Sequence, residues 1–177
     1  MEQSAWAIEL SPELPPGPVL ELCAGVGHIG LVVAQVTRRA LVQVDADPHA
    51  CELAVENAAA AHVKTDVRAR EIEDAVGPEE RFVIVLADPP YVPSAEVDRF
   101  PDDPPAAIDG GPDGLDVVRR CLAVAAAHLA PGGVVLLQLL DEGQASRLDD
   151  AGLRVVDVRS GERGCVVMLC LRPEAPA

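Results

Sequence analysis

FVIVLADPPY, residues 82–91, runs from an apolar stretch into an acid, two prolines and an aromatic ring. Phe82–Ala87 has the length and β-branched content of a strand buried on both faces. Pro89 and Pro90 have no N–H to give to a sheet ladder, so the chain leaves the sheet at Asp88 in a rigid, extended turn. The turn carries a carboxylate, the proline carbonyls and the Tyr91 ring at the strand's C-terminal edge. Open α/β sheets place their ligands at that edge. These are the groups that grip a planar NH2 group and cover its face. Taken alone, the stretch is equally compatible with an acidic loop, and its weight comes from its surroundings.

Strand and helix patterns alternate on both sides of it. Val19–Cys23 reads as a short buried strand, and Gly27–Arg39 as a helix with Ile29, Leu31, Val32, Val33 and Val36 on its apolar face. Ala40–Val44 is the next strand, and Pro48–Ala61 a helix opened by proline. His62–Val67 is a weak strand, Glu71–Val76 a short acidic segment, and Arg81–Ala87 the fourth strand. Tyr91–Pro112 reads as a long loop, a length that compact domains keep for functional or disordered segments. Asp113–Leu129 is a helix, Val134–Leu140 the fifth strand and Glu142–Asp150 a polar helix. Leu153–Val158 and Cys165–Leu171 close the chain as two strands with a hairpin-length connection. The pattern predicts an α/β fold: one mostly parallel, seven-stranded sheet, helices on both faces, and a C-terminal antiparallel hairpin. Residues 1–17 and 173–177 read as loose ends around a single domain at 18–172.

Composition narrows the functional classes. The chain has 177 residues, 49% of them hydrophobic, which suits one globular domain. Aromatics make up only 2%, so the position of Tyr91, the one tyrosine, is informative. The formal net charge of −15 disfavours unaided binding to nucleic acid, which calls for a basic stripe. The 5 cysteines form no Cys-x-x-Cys pair, which fits a reducing, cytoplasmic setting and neither a disulfide framework nor a zinc site. His28, His49, His62 and His128 share no ligand spacing, so no metal is expected. No stretch approaches the roughly 18 apolar residues of a membrane span.

The first strand turn points to a ligand. Small residues at Ala24, Gly25 and Gly27 let backbone approach a bound molecule, and the helix behind them offers free N–H groups. Glu21, at the strand end, can accept from an ammonium or from nearby backbone. Asp45 ends the second strand about twenty positions after the glycines, the place from which an acid accepts both hydroxyls of a ribose. Together these features predict a nucleoside ligand. NAD is disfavoured, because Glu21 would repel a pyrophosphate.

Four stretches carry a resemblance: ELCAGVGHIGLVVA (21–34), VDADPHACELAVENA (44–58), ADPPYVP (87–93) and AIDGGPDGLDVVRR (107–120). On these the chain resembles the class I S-adenosylmethionine-dependent methyltransferases, and among them the HemK-type enzymes that methylate the side-chain amide nitrogen of glutamine in peptide-chain release factors. The resemblance spans roughly residues 18–172 and implies a Rossmann-like methyltransferase fold with S-adenosylmethionine as cofactor. It implies that Glu21, Ala24, Gly25 and Gly27 line the methionine end, that Asp45 takes the ribose hydroxyls, and that Asp66 and Val67 lie beside the adenine. Asp88, Pro89 and Tyr91 are implied to hold the substrate nitrogen. The chemistry agrees, because an amide nitrogen is a poor nucleophile until acceptors draw on its N–H bonds, and positioning can then contribute ~7–11 kcal/mol.

Two departures matter. The amide-specific enzymes usually carry Asn at the position of Asp88, and a carboxylate accepts but cannot donate to a substrate carbonyl. Only about seventeen residues precede the first strand, where the bacterial glutamine enzymes carry a helical recognition domain, and the helix that usually covers the cofactor is missing or reduced to Trp6–Leu10. The expected substrate is a protein glutamine side chain on a release-factor-like partner. Alternatives are a nucleic-acid adenine or guanine amino group, a small molecule, or a cofactor-binding subunit completed by a partner chain or a second copy.

Overall fold

A computed structural model describes residues 2–148 and 151–173. Seven strands form one sheet: β1 (Val19–Leu22), β2 (Leu41–Asp45), β3 (Thr65–Ala69), β4 (Phe82–Ala87), β5 (Leu129–Leu139), β6 (Leu153–Gly161) and β7 (Gly164–Leu171). Their spatial order is β3-β2-β1-β4-β5-β7-β6. Strands β1 to β5 pair in parallel, and β7 runs antiparallel between β5 and β6. The order reverses between β1 and β4, so the loops leaving those two strands flank the crevice where such sheets bind ligands.

The helices are α1 (Glu2–Leu10), α2 (His28–Thr37), α3 (Pro48–Ala60), α4 (Pro105–Ile108), α5 (Asp116–His128) and α6 (Glu142–Ala145). Alternating side chains of each strand feed two cores. On one face Val19, Leu41, Ile84, Leu86, Leu136 and Val166 pack under α1 and α2. On the other, Leu20, Val44, Val85, Leu137 and Val167 pack under α5 and the turn around Ile72. Strand β4 is buried along its whole length, as a central parallel strand covered on both faces must be.

The N-terminal segment is a correction to the reading of residues 1–17 as loose. Glu2–Leu10 forms α1, with Trp6 2% and Ala7 0% exposed in the core. The Arg159 guanidinium lies 4.1 Å from the centre of the Trp6 ring and pairs with Glu9 at 2.7 Å. Arg39 then fixes the connection to β1, donating to the carbonyls of Ser11, Pro15 and Gly17 at 2.9, 2.8 and 3.0 Å. Its large apolar residues, Trp6, Ile8 and Leu10, are spaced two apart and give no helical periodicity, so the order of α1 comes from tertiary contacts.

Smaller differences have local causes. The third strand starts at Thr65 and not at His62, because His62 turns the chain at φ 54 after α3. The fifth strand starts at Leu129, ahead of Pro131, since its first residue already pairs with Phe82. The expected loop at 91–112 holds a 3-10 turn, Ser94–Arg99, and the single turn α4. The polar helix expected over Glu142–Asp150 ends at Ala145, and its final residues lie outside the described ones. Of the expected tail at 173–177, residues 174–177 also lie outside them.

Candidate active site

The loop after β1 is held from below by a buried polar pair. Glu21 is 2% exposed and Gln43 0%, on adjacent parallel strands where they stand opposite each other. Gly30 N donates to Glu21 Oε1 at 3.0 Å, and Gln43 Nε2 donates to Glu21 Oε2 at 2.7 Å and to the Gly27 carbonyl at 2.9 Å. A side chain at Gly30 would place its Cβ 2.5 Å from Glu21 Oε2, so glycine there admits the carboxylate beneath α2. Burial pushes the Glu21 carboxyl up to about 7, against the hydrogen bonds from Gln43 and Gly30. Both Glu21 oxygens are thus committed to protein, and Glu21 shapes the loop from beneath.

Above this pair the backbone turns sharply, with Cys23 at φ 55, Gly25 at φ 52 and Gly27 at φ 78. Ala24 N donates to the Val44 carbonyl at 3.0 Å, and Gly25 N donates to Asp45 Oδ2 at 2.7 Å. Asp45 Oδ1 accepts from Asp47 N at 2.9 Å. Asp47, and not Asp45, caps α3 by accepting from His49 N at 2.8 Å. Asp45 is therefore free of a capping role, half-buried at the end of β2, with lone pairs remaining on both oxygens.

Asp88, Pro89, Pro90 and Tyr91 leave β4 on the other side of the switch point. They are held by a clasp formed by the DGGPDG stretch, 109–114. Gly110 N donates to the Val92 carbonyl at 2.9 Å, Val92 N to the Ile108 carbonyl at 2.8 Å, and Ser94 N to the Gly111 carbonyl at 2.9 Å. A Cβ on Gly110 would lie 2.7 Å from the Pro90 carbonyl, and one on Gly114 would meet the Tyr91 carbonyl. The Gln144 amide, 1% exposed, closes the clasp by donating to the Tyr91 carbonyl at 2.8 Å and accepting from Leu140 N at 2.9 Å.

A cavity of about 150 Å³ opens beside these residues, lined among others by Gln3, His28, Asp88, Tyr91, Gln138 and Arg163. Asp88 opens into this concavity while protein surrounds it on its other sides, and this desolvation raises its carboxyl; the charges of His28 and Arg163 oppose the rise. The Tyr91 hydroxyl is raised by burial and by the Asp88 charge. Gln3 reaches the cavity from α1. Its Nε2 donates to the Ala87 carbonyl at 2.9 Å and the Leu136 carbonyl at 2.5 Å, which satisfies two carbonyls at the end of the β4–β5 ladder. With the NH2 end assigned by two carbonyls, Gln3 Oε1 is the acceptor, buried and without a donor among the described residues.

Glu21, Ala24, Gly25, Gly27, Asp45, Asp88, Pro89 and Tyr91 all collect at the C-terminal edge of β1, β2 and β4. Asp66 and Val67 do not. They lie within β3, opposite Val42 and Gln43, and it is Ala69 that stands level with Asp45. Asp66 is bound to Arg68 at 2.7 Å, which in turn holds Glu80 at 2.8 Å. The shift follows from the later start of β3, which leaves Arg70 and Glu71 at the edge; Arg70 N donates to the Asp45 carbonyl at 3.0 Å. Gln3, Gln43, Gln144 and Arg163 had no motif to announce them. Only Gln43 left a trace, as a polar residue inside the apolar run Leu41–Val44.

The strand order, a glycine turn after β1, an acid ending β2 and Asp-Pro-Pro-Tyr after β4 define the Rossmann-like fold of S-adenosylmethionine-dependent methyltransferases. A family model described as "Methyltransferase small domain" matches residues 7–158, and the chain belongs to that family. It is 38% identical over 129 residues to a release factor glutamine methyltransferase of Gloeobacter violaceus, covering 69% of this chain and 45% of that protein. It is 37% identical over 140 residues to one of Mycolicibacterium smegmatis, covering 72% and 47%. The chain spans about half the length of these relatives. A ribosomal protein L11 methylase from Lactobacillus delbrueckii has the same fold, with a TM-score of 0.71 at 13% identity over 97% of this chain and 78% of that one.

The residues present fit S-adenosylmethionine. Nothing lies within 4 Å of the Cβ position at Gly25, so a ligand can rest against that turn. The negative charges of Asp45 and Asp88 both act on Glu21, so acids from three adjacent strands give the crevice a field suited to a cation. The Gly25 turn and Asp45 would hold the donor. Among the described residues no cluster of His, Cys, Asp and Glu could hold a metal ion, and no helix is long and apolar enough to cross a membrane.

Proposed function

We propose that this chain transfers a methyl group from S-adenosylmethionine to a planar nitrogen, the side-chain amide of a glutamine in a protein. The observation that carries the reading is the convergence of Asp88 and Tyr91 with the Gly25 turn and Asp45 on the β1/β4 switch point. Bound S-adenosylmethionine supplies a methyl group on a positively charged sulfur that leaves as a neutral thioether. Asp88 and the Pro89 carbonyl accept the substrate's two N–H bonds, which shifts electron density onto nitrogen and aims its lone pair. Tyr91 covers the opposite face of the planar group. As the nitrogen–carbon bond forms, the nitrogen becomes positive, and Asp88 is placed to take the proton it releases. The relatives' names support a release factor as the protein substrate.

A nucleobase amino group is the second reading, favoured by Asp88 and opposed by the charge of −15. Incubation with labelled donor and, in parallel, bacterial release factor, total RNA, DNA and a small-molecule extract tests both. Label on a glutamine side chain of the release factor is the expected result. Label confined to nucleic acid would replace this reading with the second.

A further inference from the structure

The cavity beside Asp88 presents several acceptors. Asp88, Glu2, Glu162 and the partnerless Gln3 Oε1 are all acceptors on its lining. The N–H bonds of Gln3 and Gln138 are already spent on backbone carbonyls. A primary carboxamide brings two N–H donors and one carbonyl oxygen, so this set serves the NH2 and leaves the oxygen without a donor. A buried carbonyl oxygen left that way weighs heavily against binding.

Arg163 is equipped to serve it. It occupies the second position of the two-residue turn Glu162–Arg163, closed by the Gly161–Gly164 pair between β6 and β7. It lines the same cavity as Asp88 and Tyr91, and its positive charge acts on both. No hydrogen bond or ion pair among the described residues takes up its guanidinium. Its backbone is fixed, because Gln138 Nε2 donates to the Arg163 carbonyl at 2.9 Å. Gly164, at φ 107, sits so close to β5 that a Cβ there would lie 2.7 Å from the Leu140 carbonyl. His28 and the hydroxyls of Ser4 and Tyr91 are the cavity's other side-chain donors. Ser4 already has a partner, Tyr91 covers the face of the planar group in the reading above, and His28 directly follows Gly27, on the donor side of the crevice.

We propose that Arg163 donates to the carbonyl oxygen of a primary carboxamide, so that Asp88 reads the NH2 and Arg163 reads the C=O. Arg163 would thereby supply the donor that a carboxylate at position 88 cannot. The proposal rests on the amide-nitrogen reading above. The amide oxygen carries most of its partial negative charge before reaction and gives it up as the nitrogen lone pair localises for attack. A cation at the oxygen therefore favours binding over the chemical step.

Steady-state kinetics of wild type, Arg163→Ala, Arg163→Lys and His28→Ala on release factor test this, with calorimetry of S-adenosylhomocysteine as a check that the donor site is intact. Arg163→Ala should raise KM for the acceptor roughly tenfold or more, as expected for one lost charge-assisted hydrogen bond. It should leave kcat within about threefold, and Arg163→Lys should recover part of the KM. An unchanged KM in Arg163→Ala, or the same rise in His28→Ala instead, would overturn the assignment while leaving the amide reading in place. A wild-type enzyme that labels only nucleic acid would overturn the amide reading, and this proposal with it.

Discussion

Gly25 and Asp45 lie twenty residues apart and meet at 2.7 Å, the backbone N–H of one donating to Oδ2 of the other. Asp45 thereby fixes the turn after β1 while keeping lone pairs that, in the proposed function, serve the methyl donor. Asp45→Ala removes both functions and leaves Gly25 N without a partner. S-Adenosylhomocysteine affinity should fall roughly 10–100-fold, and stability by about 1–2 kcal/mol. Calorimetry and urea unfolding measure the two effects; unchanged affinity would remove Asp45 from the donor site.

Asp88 is assigned to the acceptor and not to the donor. Asp88→Ala should lower kcat by roughly 10²–10³-fold, with S-adenosylhomocysteine affinity within about threefold of wild type. Asp88→Asn separates the substrates further. An asparagine keeps one acceptor oxygen and gains an N–H that can reach a substrate carbonyl, so activity on glutamine should survive in it far better than in Asp88→Ala. Full activity in Asp88→Ala would refute the assignment.

Glu21 should mark the pH dependence of stability. Its carboxyl is raised to about 7 in the folded chain and returns to near 4.5 on unfolding. The unfolded state loses its proton first, so the contribution of Glu21 is fully present below about pH 4.5 and is lost as pH rises through 7. The difference in unfolding free energy between wild type and Glu21→Gln should shrink as pH rises from 4.5 to 8, by about 3 kcal/mol at most. A difference flat across that range would show that Glu21 keeps an ordinary carboxyl.

Gln144 tests the clasp. Gln144→Leu strands the Tyr91 carbonyl and Leu140 N, at a cost of about 1–3 kcal/mol of stability. Because the clasp fixes the backbone that carries Tyr91, acceptor KM and kcat should both worsen while donor binding holds. Equal losses in donor and acceptor binding would point to general unfolding instead.

Much of this architecture is legible along the chain because its signals are local. Phe82–Ala87 is a buried strand by composition, and Pro89 and Pro90 must end it whatever surrounds them. Gly25 to Asp45 has the spacing of one β-α-β unit, so the site's two halves can be paired on paper. Asp66 shows where such counting fails. A three-residue uncertainty in the start of a weak strand moves an acid from the sheet edge into its interior. Strand β3, short and only partly buried, has too little apolar pattern to fix its own register.

The sequence by itself determined the alternation of strands and helices, the exit of the chain at Asp88, and the chemical kind of group that stands at each strand end. These depend on backbone sterics and on apolar periodicity, which act over a few residues. Tertiary structure alone decided that Glu21 supports the loop from beneath, that α1 delivers Gln3 to the crevice, that Gln144 locks Tyr91, and that Arg163 faces Asp88. Each of those depends on contacts between residues 22 to 133 positions apart, whose geometry exists only once the sheet has brought them together.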